Sequence, residues 1–261
     1  MRRYLKIFKV LVRTAIARDM TFRGAFYVEL FHVLMWIGLF FILIEVLFAH
    51  TREIAGWSKG NLIVLLGVWS LLDDLTSGTF WEGVKRIPSL VAEGQLDFIF
   101  TRPIDSQFLI SVERFRISRA IPLIVDIALI VYGLKLGTVA SWWVILFIFP
   151  IILLTGYLTS YAVFYFLHTL GFWFLRVDNV WAIYEGIENI GKYPLDVFGR
   201  HIKLLSLTIV PITIMMVFPA EALIGFLSAG EVVNALVVSI VAFYLARKFY
   251  QHSLRRYSSI A

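Results

Sequence analysis

The chain contains no cysteine, which excludes disulfides, thiolate metal sites and a cysteine nucleophile. Charge is also scarce: 16% of the residues are Asp, Glu, Lys or Arg, against about a quarter in soluble domains. The five histidines, at positions 32, 50, 168, 201 and 252, stand singly. None lies beside a Glu or Asp at metal-ligand spacing, so a helix-borne metal centre is not expected. Ser and Thr lack a neighbouring base, which leaves a serine hydrolase without its activating partner. What the chain does have is apolar surface, with 60% hydrophobic and 16% aromatic residues over 261 positions. A spanning helix takes about 20 largely apolar residues. About six spans with their connections would therefore use most of the length and leave no room for a soluble catalytic domain. The composition points to one all-α polytopic membrane domain over residues 1–261.

The chain opens on a basic segment, residues 1–24, in which Lys6, Lys9 and Arg13 share one helical face and Leu5, Phe8, Val12 and Ala15 another. That pattern suits an interfacial helix on the inner leaflet. Ala15-Ile16-Ala17 mimics a leader cleavage site, but the apolar run before it is short and broken by Arg13, which argues against a cleaved leader. Hydrophobic runs then place spans at about 25–49, 62–81, 117–133, 142–175, 204–218 and 232–246. The fourth run exceeds one crossing and must tilt or extend beyond the bilayer. Residues 219–231 are too interrupted by Gly225, Gly230 and acids to cross alone, and read as an outer re-entrant or surface segment. With both termini cytoplasmic, 21 of the 24 Lys and Arg fall on inner segments, leaving Arg52, Lys59 and Lys135 outside. So strong a bias is the positive-inside rule at work. It accounts for the net charge of +6 without a nucleic-acid partner.

Two inner connections follow, 84–116 and 176–203. The second contains Gly186-Ile187-Glu188-Asn189-Ile190-Gly191-Lys192, which has phosphate-loop spacing as far as the lysine. Tyr193 stands where the magnesium-binding hydroxyl belongs, Pro194 breaks the helix that should begin there, and no strand precedes it, so nucleotide binding is not expected. The first contains Glu93 to Pro103, a charged island in which Leu96, Phe98, Ile99 and Phe100 are apolar while Glu93, Asp97 and Arg102 carry charge. It reads either as a solvated loop or as a short helix shown to a partner on one aqueous side. Within the spans, Asp73, Asp74 and Asp126 are the notable acids. A carboxylate at mid-bilayer costs on the order of 3 kcal/mol. Each must therefore face protein or water, either in structural pairing or along a transport path.

Three clusters resemble the permease subunits of ABC transporters of the type-2 exporter class. Gly94, Leu96, Asp97, Arg102 and Pro103 match that family's Gly-x-Leu-Asp-x-x-Leu-x-Arg-Pro signature, with Phe100 where leucine is usual. Gly191, Tyr193, Pro194 and Phe198 are similar to its Gly-x-Tyr-Pro turn, and Pro211 with Pro219-Ala220 to the proline-marked segment that follows. The resemblance implies half of a translocation path. A second permease subunit, identical or related, would complete it, and a separate ABC ATPase would dock through Gly94, Leu96, Asp97, Phe98, Arg102 and Pro103. ATP and magnesium would bind that partner, so this chain would need no cofactor and would not itself be an enzyme. The expected setting is the plasma (inner) membrane of a prokaryote, with the chain a multi-pass component of an exporter. The residues alone also admit an ion- or proton-coupled secondary transporter using Asp73, Asp74 and Asp126, or a membrane scaffold that carries no substrate.

Overall fold

A computed structural model describes residues 2–21, 23–174, 180–208 and 210–257. Residues 176–179 of the second expected inner loop, Arg176 among them, lie outside the described residues, as does Ile209 of the fifth expected span. Secondary structure is almost entirely helical. Among the described residues the one exception in strand conformation is a two-stranded antiparallel hairpin, β1 (Glu53–Ile54) and β2 (Trp57–Ser58). It turns through Ala55 and Gly56, both at positive φ.

In chain order, α1 (Arg2–Thr21) and α2 (Arg23–Phe48) precede the hairpin, and α3 (Lys59–Thr76) follows it. The chain continues through a π-helical turn (Ser77–Trp81) into the short helices α4 (Glu82–Val84), α5 (Ile87–Ala92), α6 (Leu96–Phe100) and α7 (Ser106–Val112). Next come α8 (Pro122–Leu136), α9 (Phe149–Thr169), α10 (Val180–Ile190), α11 (Arg200–Thr208), α12 (Phe218–Ile224) and α13 (Ala229–Leu254). Among the described residues, five helical stretches are long and apolar enough to cross a membrane: 31–48, 59–92, 117–136, 144–172 and 229–254. At 1.5 Å per residue, the 29 residues of 144–172 extend about 43 Å, well beyond a hydrocarbon core of about 30 Å.

The fifth expected span is not one helix. α11 stops at Thr208, and the apolar helix that follows covers only Thr213–Ile224. Pro211 lies between them, has no N–H to donate, and disfavours helical geometry at the residue before it. Thr213–Ile224 is buried in protein along almost its whole length. α12 then ends at Gly225, whose φ of +81° suits a residue without a Cβ. α13 starts on a capping box, in which Ser228 Oγ accepts from the Glu231 backbone N–H and the Glu231 carboxylate accepts from Ser228 N–H.

α3 is the axis of the fold. Of its apolar window 78% is buried, against 6% for α2, so α3 faces protein all round while α2 lies at the periphery. α8 packs against α3 at backbone distance. A Cβ added to Gly60 would fall 2.2 Å from Gly137 N, and one on Gly133 2.7 Å from Val64 N. Lipid tails give no hydrophobic drive for helix pairing, so close approach through small residues supplies the contact. At that end Asn61 Oδ1 accepts from the backbone N–H and hydroxyl of Thr138, at 2.9 and 3.2 Å, and locks the register. On another side of α3, Phe80, Phe164, Tyr165, Tyr184 and Tyr250 are nearly fully buried and join the π-turn, α9, α10 and α13 into one core.

Candidate functional site

Two polar assemblies stand out, one beneath the bundle at the short helices and one beside α3. The first is built on the Glu93 to Pro103 stretch. α5 ends at Ala92 with Glu93 as its cap, and Gly94 reverses the chain at φ +68°, a conformation open to glycine at no steric cost. The reversal starts α6, which has two distinct faces. Leu96 and Ile99 are buried in the core, whereas Phe98 is 72% exposed and Phe100 42%. Thr101, Arg102 and Pro103 continue that exposed surface. Gly94, Leu96, Asp97, Phe98, Arg102 and Pro103 are thus brought together, but Leu96 fixes α6 from beneath and only the others are open to a partner. Arg102 does not pair with Asp97. Its Nη1 lies 3.6 Å from Glu113, which also faces Arg86 at 3.6 Å. Asp97 lies beside Tyr257 instead, and that ring meets Phe100 edge to face.

The stretch is tied to the long helices by a network the sequence reading missed. Asp105 caps α7, its Oδ1 accepting from Phe108 N–H at 3.0 Å. Arg247 of α13 grips the same carboxylate with its two terminal guanidinium nitrogens, Nη1 and Nη2, and Nη1 also donates to Gln107 Oε1 at 2.8 Å. Gln107 Nε2 in turn donates to the Tyr161 hydroxyl of α9 at 3.0 Å, Ser111 Oγ lies 2.9 Å from that hydroxyl, and Tyr250 donates to Ser106 at 3.1 Å. Hydrogen bonding from Arg247 outweighs burial and holds the Asp105 carboxyl below the usual range. An Asp three residues before an apolar run is a readable cap signal. Its distant arginine partner, 142 positions on, is not readable. Beside this network a groove of about 370 Å³ opens between α7, α9 and α13, lined by Thr79, Tyr157, Tyr161 and Phe243 among others.

The second assembly gathers the three acids read from the sequence. Asp74 is nearly buried and receives Arg119 Nη1 at 2.7 Å, with Asp73 at 3.9 Å from the same nitrogen. Asp126 is fully buried on α8. Neither of its oxygens makes a hydrogen bond, and Ser70 and Asp74 are its polar neighbours. Arg119, counted in the sequence as a loop cation, is therefore the structural counter-ion of this cluster. A fourth acid was missed: Glu188 of α10, 3% exposed. Val180, Tyr184 and Glu188 recur every fourth residue and are the buried positions of that helix, so its helical period was the available signal. Lys192 stands above Trp69, Trp36 and Phe40, with Nζ 4.2, 4.9 and 5.4 Å from the ring centres. Burial there pulls its ammonium below the ordinary lysine range, opposed by Asp73, Glu188 and Glu185. α10 runs straight through Gly186, so the segment from Gly186 is helix there and not a phosphate-cradling loop. Among the described residues no three His, Asp or Glu side chains converge to hold a metal ion.

The architecture is that of a helical polytopic membrane protein with a small two-faced helix among its short connecting helices. The model of the family described as "ABC-2 family transporter protein" matches residues 34–261, and the chain belongs to that family. It is a permease subunit of an ABC transporter, a membrane component without catalytic chemistry of its own. That membership replaces the secondary-transporter and scaffold readings. No curated protein matches the chain.

Proposed function

We propose that this permease is driven by a separate ATPase that seats against the exposed face of α6, and that it forms half of an export path completed by a second permease subunit. The observation that carries the docking is the division of α6 into two faces. Leu96 and Ile99 anchor it in the core, so a push on Phe98, Phe100 or Arg102 moves a fixed lever rather than a loose loop. Its direct outlet is the Asp105 to Arg247 grip, which joins the short helices to α13. Support for the setting comes from the basic residues. Placing both termini, 84–116 with Arg119 just beyond it, and 176–203 in the cytoplasm, with 219–231 on the outer side, puts 21 of 24 Lys and Arg inside. A prokaryotic plasma membrane with residues 1–24 on its inner leaflet fits the same arrangement. ATP and magnesium belong to the partner.

The test is Phe98→Ala. The side chain is 72% exposed, so truncation costs the isolated permease little. As an interface anchor it is worth about 2 kcal/mol, or roughly a thirtyfold loss of association. The variant is expected to insert and purify normally while losing the ATPase from the complex, or hydrolysing ATP without transport. Full ATPase recovery together with full ATP-driven flux would refute the docking.

A further inference from the structure

The cavity beside α3 contains more than the paired acids. It has a volume of about 230 Å³, far above the roughly 15 Å³ that admits one water. α2, α3 and α10 supply its walls, and four of the lining side chains are indoles: Trp36, Trp69, Trp81 and Trp181. Aromatic faces present negative charge to whatever sits above them. Carboxylates exceed the fixed cations on the same walls. Asp73, Asp74, Glu185 and Glu188 line it against Arg119 and Lys192, and Arg119 is engaged by Asp74 at 2.7 Å. Glu188 is nearly fully buried, and its Oε1 makes no hydrogen bond. Burial and the neighbouring Asp73 push its pKa up, so it keeps its proton until a positive group meets it.

The protein shows which kind of group that is. The ammonium of Lys192 sits over Trp36, Phe40 and Trp69, so an alkylammonium already occupies the aromatic side of the cavity. A metal ion is a poor alternative. Five aromatic rings, Trp36, Phe40, Trp69, Trp81 and Trp181, line the walls, and among the described residues no set of three metal-ligating side chains converges.

We propose that this cavity is a binding site for an organic ammonium cation, held between the tryptophan faces and the Glu188 and Asp73 carboxylates in competition with Lys192. It deepens the permease reading, on which its part in transport rests, by naming the class of ligand. Binding itself is a property of this chain and needs no ATPase.

The experiment measures choline and its neutral isostere 3,3-dimethylbutan-1-ol by titration calorimetry on the full chain in lipid nanodiscs, with docked ATPase absent. Choline is expected to bind at least about tenfold more tightly than the alcohol. Glu188→Gln, nearly isosteric, should weaken choline about tenfold. Lys192→Met removes the built-in competitor and should strengthen it, an outcome that general damage to the fold cannot mimic. Equal binding of choline and the alcohol, no measurable binding of choline to the unmutated chain, or a Lys192→Met variant weaker than the parent would each overturn the assignment. A Phe98→Ala permease that loses its ATPase yet binds choline normally would separate this site from the docking surface.

Discussion

The grip of Arg247 on Asp105 is the contact whose energy the structure constrains best. The two side chains are 32% and 31% exposed, between a surface pair worth at most about 1 kcal/mol and a buried pair whose breakage costs about 3–5 kcal/mol. A bidentate guanidinium contact at that depth is worth about 2 kcal/mol. Asp105 also caps α7, and the perturbations separate its two duties. Asp105→Asn keeps the cap, since Asn caps as well as Asp, and removes only the ion pair, at about 2 kcal/mol. Asp105→Ala loses the cap too, for about 1 kcal/mol more. Arg247→Met should cost about 2 kcal/mol by leaving the carboxylate without its partner. The double variant Asp105→Asn with Arg247→Met breaks the same contact once, so it should cost about 2.5 kcal/mol rather than about 4. Unfolding in mixed micelles by SDS titration, read by tryptophan fluorescence, measures the cycle. If the two single costs simply add, the side chains do not act as a unit and the proposed link from the short helices to α13 fails.

The same carboxylate gives a pH dependence. Its pKa is lowered in the folded chain, so its contribution is fully present above the unfolded value of about 3.9 and is lost only as pH falls through the lower folded value. The stability difference between parent and Asp105→Asn should therefore be flat from pH 7 to 5, and a decline across that window would contradict the grip. Gly83→Ala should cost about 1–3 kcal/mol, because the added Cβ would lie 1.9 Å from the Ile110 carbonyl oxygen of α7. Gly38→Ala, with nothing within 4 Å, is the clash-free comparison in the same unfolding assay and should gain about 0.5–1 kcal/mol, since Gly38 sits inside α2. Asp126→Asn replaces a buried carboxyl whose oxygens make no hydrogen bond with a near-isosteric neutral amide and should change stability by no more than about 1 kcal/mol. A loss of several kcal/mol would show that the carboxylate is satisfied by something bound. Since the native chain has no cysteine, Gln95→Cys can be labelled cleanly with an impermeant maleimide. Protection in intact cells and reaction in inverted vesicles are expected, and the reverse would invert the orientation.

Composition alone determined that this chain is a helical membrane bundle, because 60% hydrophobic residues in long runs have few other stable arrangements in a bilayer. Local chemistry determined several boundaries. Gly94 reverses the chain before α6, α10 stops ahead of Gly191 to Pro194, and Asp73 and Asp74 mark α3 as a helix that meets protein. Period counting could also have placed Glu188 inward beside Tyr184. Hydropathy overran the fifth span, because an apolar run carries no record of whether its backbone is continuous, and Pro211 interrupts this one. Other features belong to the tertiary structure alone. The sequence treats Leu96 and Phe98 alike as apolar, and only docking of α6 onto the core decides which is buried and which is offered to a partner. Arg119 and Arg247 look like two more inner-leaflet cations until packing brings them to Asp74 and Asp105. Charge pairing across 45 and 142 positions depends on distance in space, which spacing along the chain does not encode.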